Sequence, residues 1–377
     1  MANDVSAFLE TLVGASGDYN AAKVGNLGFL NAVYLDVQPE VARAGKTITV
    51  YFPDLAPMLD QQGNDWVPED IDPGSVEVVF NQRPGKAILI GDFDQWQTAV
   101  NIIDKFYDPA YKRGLEYFNG QIAAQITTAN FNQYAAIQGL SPAKISLGDA
   151  TRAWNALAGN KIPVMDASML SLLTHNDIYA QMLQDSAWTQ ESIAGLAAAV
   201  ETRQKAELPP AFNFRRQWDQ QAPKTTITLT GTLTPTDTST AVSGSGTAFS
   251  SQCAAFQNIV FANDPTQTPY RIASVTSNTA LVLTSAYAAN GYAVTAGAAV
   301  ASTYLSIALH KYAIALAVRP LELVNNGAVQ SRIIKLNGIP FRVMLSYQHL
   351  QSGWMLTIDC GCAVQVIRPD FGVLVKS

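Results

Sequence analysis

Residues 94–129 read DQWQTAVNIIDKFYDPAYKRGLEYFNGQIAAQITTA, and no other stretch of the chain constrains the fold as strongly. Apolar side chains recur at helical spacing through Trp96, Ala99, Val100, Ile103, Phe106, Ala110, Leu115, Phe118, Ile122 and Ile126. That is the period of one buried stripe on an α-helix. Asp94 followed by Gln97 makes a capping pair for the first orphan amides. Pro109 removes one backbone donor and is expected to bend the helix there. A helix over 94–129 would span roughly 54 Å at ~1.5 Å per residue. A compact globule of 377 residues has a radius of gyration of about 21 Å. One helix would thus cross nearly the whole molecule, which favours an elongated or plate-like subunit.

Ahead of the helix, Lys46–Pro53 and Ser75–Phe80 alternate apolar and polar residues, the signature of two half-buried strands. A connection as long as the one between them is uncommon inside a compact domain and usually functional or disordered. From Asp54 to Glu77 it carries Asp54, Asp60, Asp65, Glu69, Asp70, Asp72 and Glu77 with no Lys or Arg. It reads either as a solvated tip or as an arm that lies on a basic surface of a neighbour. The first 35 residues read as an arm with one short helix, capped by Asp4 and striped by Val5, Phe8, Leu9 and Leu12. Gly14, Gly17, Gly25 and Gly28 follow, and the stretch is expected to be extended.

Behind the helix come shorter elements. Ser146 with Asp149 resembles a capping box ahead of a helix at Ala150–Leu157. Asp166 is expected to cap a helix at Met169–Thr174, Trp188–Val200 reads as a third helix and Phe212–Arg215 as a strand. Composition then changes sharply. Between Thr225 and Leu309 the charged residues are Asp237, Asp264 and Arg271, and Ser and Thr abound. Runs such as Thr226–Thr230, Asn258–Phe261 and Leu281–Thr284 suggest a small all-β module, with Ser243–Gly246 as a turn. A helix-rich, then β-rich, then mixed order suggests an insertion into a host domain, which costs little in loop-closure entropy. The host resumes from Tyr304 to Val318 as an apolar helix or strand, and strands at Phe341–Tyr347, Trp354–Ile358 and Val364–Ile367 close the chain.

Composition narrows the function. Charged residues are 14% against a typical ~25%, and the 48% hydrophobic content argues against disorder. A net charge of −6 provides no overall basic field for nucleic acid. Met1–Gly14 lacks the basic and apolar regions of a signal peptide, and no stretch reads as a transmembrane helix. Cys253, Cys360 and Cys362 are too few for a disulfide framework. Cys360-Gly361-Cys362 has no second pair or nearby His and reads as core, not zinc. His175, His310 and His349 are scattered. Asp92 and Asp94 have the makings of an acid/base pair, but a strand-to-helix junction with Asp94 as cap explains them better. No phosphate loop, dinucleotide fingerprint or nucleophile elbow is present. No enzyme and no cofactor is expected. Interaction surface is what remains: Lys105, Lys112 and Arg113 on the long helix could receive the acidic residues Asp60, Asp65, Glu69, Asp70 and Asp72 of another copy. A solvated helix face is the alternative.

The layout resembles bacteriophage major capsid proteins of the Hong Kong 97 fold, in the branch with an inserted β domain. Phe106-Tyr107-Asp108-Pro109-Ala110 with Leu115 is similar to the spine-helix segment of that branch. Ala308-Leu309-His310-Lys311-Tyr312-Ala313-Ile314-Ala315-Leu316-Ala317-Val318-Arg319-Pro320-Leu321 resembles the stretch where its apical domain resumes, and Ile367-Arg368-Pro369-Asp370 its final Arg-Pro. Val242–Phe249 departs toward β modules of other phage proteins. The resemblance implies an α+β fold with an N-terminal arm (1–38), extended loop (39–91), spine helix and peripheral domain (92–140), apical domain (141–224), inserted β domain (225–303) and closing strands (304–377). It implies hexamers and pentamers of an icosahedral head around double-stranded DNA bound without sequence specificity. A separate scaffolding protein, a portal protein and a decoration protein are the implied partners, with assembly in the host cytoplasm, residence in the virion and no membrane. A tail or surface adhesin using the Thr-rich module, and an encapsulin-type compartment shell, are the alternatives.

Overall fold

Among the described residues, strands outnumber helices. The structure, a computed structural model, describes residues 27–37, 47–52, 74–91, 108–131, 137–138, 145–166, 168–185, 188, 208, 211–264, 266–289, 297–324, 326, 329–336 and 338–376. The described elements begin with helix α1 (Gly28–Ala32), then strands β1 (Tyr34–Val37), β2 (Thr47–Phe52), β3 (Gly74–Val79) and β4 (Gly85–Gly91). Helix α2 (Asp108–Ala124), β5 (Ile137–Gln138), helix α3 (Leu147–Gly159), β6 (Leu170–His175), helix α4 (Asn176–Gln184) and β7 (Arg215–Asp219) follow. Next come β8 (Lys224–Thr228), β9 (Thr232–Pro235), β10 (Ala241–Ser245), a single turn α5 (Phe249–Gln252), β11 (Asn258–Phe261), β12 (Tyr270–Ser277) and β13 (Ala280–Leu283). The long β14 (Ala299–His310) leads to β15 (Ile314–Arg319), β16 (Val329–Leu336), β17 (Ile339–Gln348), β18 (Gly353–Asp359), β19 (Gly361–Val366) and β20 (Gly372–Lys376). The architecture is mixed α+β. No described helix is long and apolar enough to cross a membrane.

The chain forms two units. The first takes its described residues from Tyr34–Phe118 and Ile314–Ile367. It holds the β2–β3 hairpin, a three-stranded sheet β1-β15-β19, and a four-stranded antiparallel sheet β16-β17-β18-β4. Within it the first half of α2 lays Leu115 and Phe118 inward, with Phe118 5.7 Å from the Phe341 ring of β17. Gly114 permits that approach, because a Cβ there would lie 3.1 Å from the same ring.

The second unit comprises Asn26–Val33, Asn119–Ala313 and Arg368–Ser377. It contains an eleven-stranded sheet around β14. Residues 300–304 of β14 pair with β8 and residues 299–302 with β11, whereas 305–309 pair with β20 and 307–310 with β6. One strand therefore belongs to two cores. Ala299 and Ala301 join a cluster with Leu233, Phe249, Ile259 and Ile272, and Tyr304 and Ala308 join another with Leu157, Leu172, Phe214 and Val375.

A buried polar knot ties three segments of this unit. Asn119 donates to Asp219 Oδ2 at 2.7 Å and to Gln221 Oε1 at 2.9 Å, while its own Oδ1 accepts from the Leu30 amide at 3.2 Å. Asn119 is 1% exposed and Asp219 2%. Asn119→Ala strips a donor from a buried carboxylate and an acceptor from α1, and should cost about 1–3 kcal/mol. A urea melt monitored by tryptophan fluorescence measures it, and an unchanged midpoint would contradict the role given to the knot.

Several expectations meet corrections. The long helix ends at Ala124, not Ala129. Gln125 and Ile126 donate back to Ile122 and Ala123 in tightened turns, and Asn130 Nδ2 bonds the Gln125 carbonyl at 2.8 Å, so side-chain chemistry takes over from the helix. Its expected start, Asp94 with Gln97, lies outside the described residues, and Pro109 is the second residue of the described helix. Leu170–His175 is a strand, not a helix. It pairs with β14 on one edge and β7 on the other, and side chains on both of its faces are buried, so Leu170, Leu172 and Leu173 do not alternate with exposed residues. Asp166 instead closes a turn, accepting from the Ser168 amide and hydroxyl. Phe212 and Asn213 adopt left-handed conformations (φ 52 and 61) in a turn, and the strand starts at Arg215. Ser243 to Ser245 lie in β10, with the turn at Gly246. The Ser146–Asp149 capping box is present on α3. The arm helix at Val5–Leu12 and, beyond Trp188, the helix at Trp188–Val200 fall outside the described residues.

Candidate functional site

Of the residues singled out for contact with a neighbour, Lys112 and Arg113 are described and Asp60, Asp65, Glu69, Asp70, Asp72 and Lys105 are not. The acidic five belong to the connection between β2 and β3, which pair in antiparallel register from Thr47–Val79 to Phe52–Gly74. Arg113 is exposed and reaches Glu116 Oε2 at 2.7 Å, one turn along the same helix, while Lys112 is half-buried. Arg113 thus lies away from the buried Leu115–Phe118 stripe while Lys112 flanks it, and Arg113 has an internal partner that any neighbour must compete with. Exposed pairs of this kind contribute ~0–1 kcal/mol.

The first unit presents a second feature that the sequence reading passed over. The β17–β18 hairpin turns through His349–Gln351, with Ser352 left-handed at φ 45. At its tip Leu350 is 88% exposed. Just below, Tyr347 packs edge-on against Trp354 at 5.2 Å, and Tyr347 is itself exposed. Strand β4 lies at the sheet edge and pairs Leu89 with Met355, leaving Leu89 exposed too. Apolar side chains therefore cluster at one end of this sheet. The only sequence signal was Leu350 sitting in an otherwise polar turn between two alternating strands.

The other end of the sheet is braced by charge. Arg342 Nε and Nη2 donate to the two oxygens of Asp359 at 2.9 and 2.7 Å, and its Nη1 donates to the Glu322 carbonyl at 2.5 Å. Arg83 adds a bond to Asp359 Oδ2 at 2.7 Å. Burial alone would raise the Asp359 pKa, but the hydrogen bonds from Arg342 and Arg83 outweigh it and hold the carboxyl below its ordinary value.

Other reactive side chains serve packing. His175 Nδ1 accepts from the Asp177 amide at 3.2 Å and so caps α4, and burial holds the imidazole pKa down. Asp177 Oδ2 accepts from Lys224 at 2.8 Å and from Tyr304 at 3.0 Å, which joins α4 to β8 and β14. His310 is buried, packs edge-on against Phe371 at 5.2 Å, and is likewise pushed down by burial. Cys360 and Cys362 are free and buried, and burial raises both thiols, Cys362 to about 12. Thiols held protonated in this way are poor nucleophiles and poor metal ligands.

No family model matches the sequence, and no curated protein does. Solved structures of similar shape do exist. The capsid of the cyanophage P-SCSP1u is 11% identical, with a TM-score of 0.48 over 92% of this chain and 86% of that one. The capsid of Ralstonia phage GP4 is 10% identical, with a TM-score of 0.46 over 92% and 89%. A virus-like particle from Pyrococcus furiosus is 9% identical, with a TM-score of 0.40 over 97% and 98%. Likeness at this level establishes neither family nor function.

Proposed function

We propose that the chain is the structural subunit of a self-assembling shell, a bacteriophage major capsid protein of the Hong Kong 97 fold with an inserted β domain at 225–303. The order of elements carries this reading: an extended hairpin with a long acidic connection, then a long helix, then a low-charge β module set inside a host sheet. The pairing of β14 supports the insertion, because its first half joins the module and its second half joins β6 and β20. The subunit packs with copies of itself as hexamers and pentamers in an icosahedral head around double-stranded DNA. A scaffolding protein, a portal and a decoration protein are its partners, and assembly takes place in the host cytoplasm. Apolar burial supplies affinity between subunits, and the acidic connection against Lys105, Lys112 and Arg113 sets register.

Electron microscopy of the protein, expressed with and without its neighbouring genes, tests the reading. Closed shells of uniform diameter are expected. Monomers or trimers under every condition would overturn it. Lys112→Glu with Arg113→Glu places three acids within one turn around Glu116, which costs the helix only a few tenths of a kcal/mol. Soluble subunit should therefore persist while shell yield in the same micrographs falls. Equal loss of both would remove these residues from the interface.

A further inference from the structure

Helix α4 starts where β6 ends, and a histidine caps it in place of the usual Ser, Thr, Asp or Asn. His175 has an extended backbone, and its Nδ1 accepts from the Asp177 amide at 3.2 Å. A ring nitrogen accepts only while it carries no proton. This cap therefore belongs to the neutral imidazole alone.

Titratable groups face the ring from α4, β8, β14 and β7. On α4, Asp177 Oδ2 lies 3.3 Å from His175 Nδ1. The same oxygen accepts from Lys224 of β8 at 2.8 Å and from Tyr304 of β14 at 3.0 Å. Tyr304 packs against the imidazole at 5.3 Å, and Lys224 Nζ sits 4.9 Å from the Tyr304 ring. On β7, Asp219 is the register partner of His175, and its charge reaches the ring. All of these groups belong to the second unit. They tie α4 to β8, at the root of the low-charge β module, and to β14, which contributes to both cores of the unit. Burial is the largest influence on the imidazole and disfavours its charge; Lys224 acts in the same direction, and the two carboxylates oppose it without prevailing.

We propose that His175 is an acid-operated release for α4 and for the root of the β module. In the neutral ring, Nδ1 caps the helix and leaves Asp177 Oδ2 to Lys224 and Tyr304. A proton on Nδ1 turns the acceptor into a donor. The Asp177 amide then loses its partner, and two N–H groups confront each other across the former bond. The new N–H also competes with Lys224 and Tyr304 for Asp177 Oδ2. One proton thus frays the first turn of α4 and weakens its tie to β8 and β14. The direction follows from the fold's preference for the neutral ring: the cap's contribution is complete above the ordinary imidazole value of 6.5 and is lost as pH falls through the lower folded value. The device needs no neighbouring copy, so it stands whether or not the chain builds a shell.

Amide hydrogen exchange of the full-length, unassembled chain tests the release, at about pH 7.5 and about pH 5.5, on either side of the histidine range. Each rate is corrected for the intrinsic effect of pH on exchange. Helix α3 is the internal control, because its cap is Ser146 with Asp149 and contains no imidazole. In acid, protection of the first turn of α4 should fall roughly fivefold, the size of a lost cap. Protection of β8 should fall with it while α3 holds. His175→Asn keeps a capping oxygen that does not titrate, so its α4 protection should match at the two pH values. If that variant folds poorly, the contrast between α4 and α3 in the wild type still decides. No fall in α4, an equal fall in α3, or the same fall in His175→Asn as in wild type would overturn the proposal. A fall in α4 with β8 unmoved would overturn its extension to the β module.

Discussion

Replacing Asp359 by Asn is expected to destabilise the first unit by roughly 3–5 kcal/mol, the usual cost of removing one partner from a buried ion pair. The magnitude rests on Arg342, which is 6% exposed and keeps its charge when the carboxylate is gone. Asn supplies one acceptor for two donors, and the Glu322 carbonyl already serves Nη1. Arg83→Ala offers the contrast. Its side chain is 62% exposed, so water replaces the lost bond and the change should stay within ~0–1 kcal/mol. Chemical denaturation with a probe in the first unit separates the two variants, and equal destabilisation would refute the division of labour between the arginines.

The same pair sets an acid limb. Asp359 has a lower pKa in the folded state than in the unfolded chain, where it is near 3.8. Its contribution is therefore complete above the unfolded value and is lost as pH falls through the folded one. Wild type should lose stability progressively below about pH 4, and Asp359→Asn should show a shallower acid limb from a lower plateau.

What the sequence disclosed follows from how each element is buried. Alternation of apolar and polar residues made β2, β3, β17 and β18 legible nearly to the residue. The capping box on α3 was legible because both partners sit at fixed spacing. Elements buried on both faces lose their period. Leu170–Thr174 and Ile307–His310 are buried on both faces, so their apolar residues do not alternate with wet ones, and periodicity alone cannot separate such a run from a helix. The end of α2 depends on Asn130 reaching back five residues to the Gln125 carbonyl, a contact invisible to an apolar count. For the site, spacing placed Lys112 and Arg113 on the long helix, and the fold exposes Arg113 and half-buries Lys112. Leu350 could not be singled out, because one apolar residue in a turn carries no period.

On the proposed shell reading, Leu350→Asp should cut the yield of closed shells at least tenfold while leaving the subunit folded. At 88% exposure Leu350 has little to lose in the monomer, where surface substitutions usually stay within about ±0.5 kcal/mol. Burying a leucine between copies is worth roughly 1.5–3 kcal/mol, and an aspartate in its place adds the cost of desolvating a charge. In the proposed shell such a contact would recur at each subunit, so a deficit that is modest per contact would multiply across the particle. About 1.4 kcal/mol is already tenfold in one association step. Thermal melts of the purified subunit should overlay wild type while micrographs show a drop in closed shells of at least tenfold. Leu350→Met keeps the apolar tip and should restore them. If Leu350→Asp assembles at wild-type yield, the hairpin tip faces solvent in the particle, and the affinity between copies must come from other surfaces such as the exposed edge at Leu89.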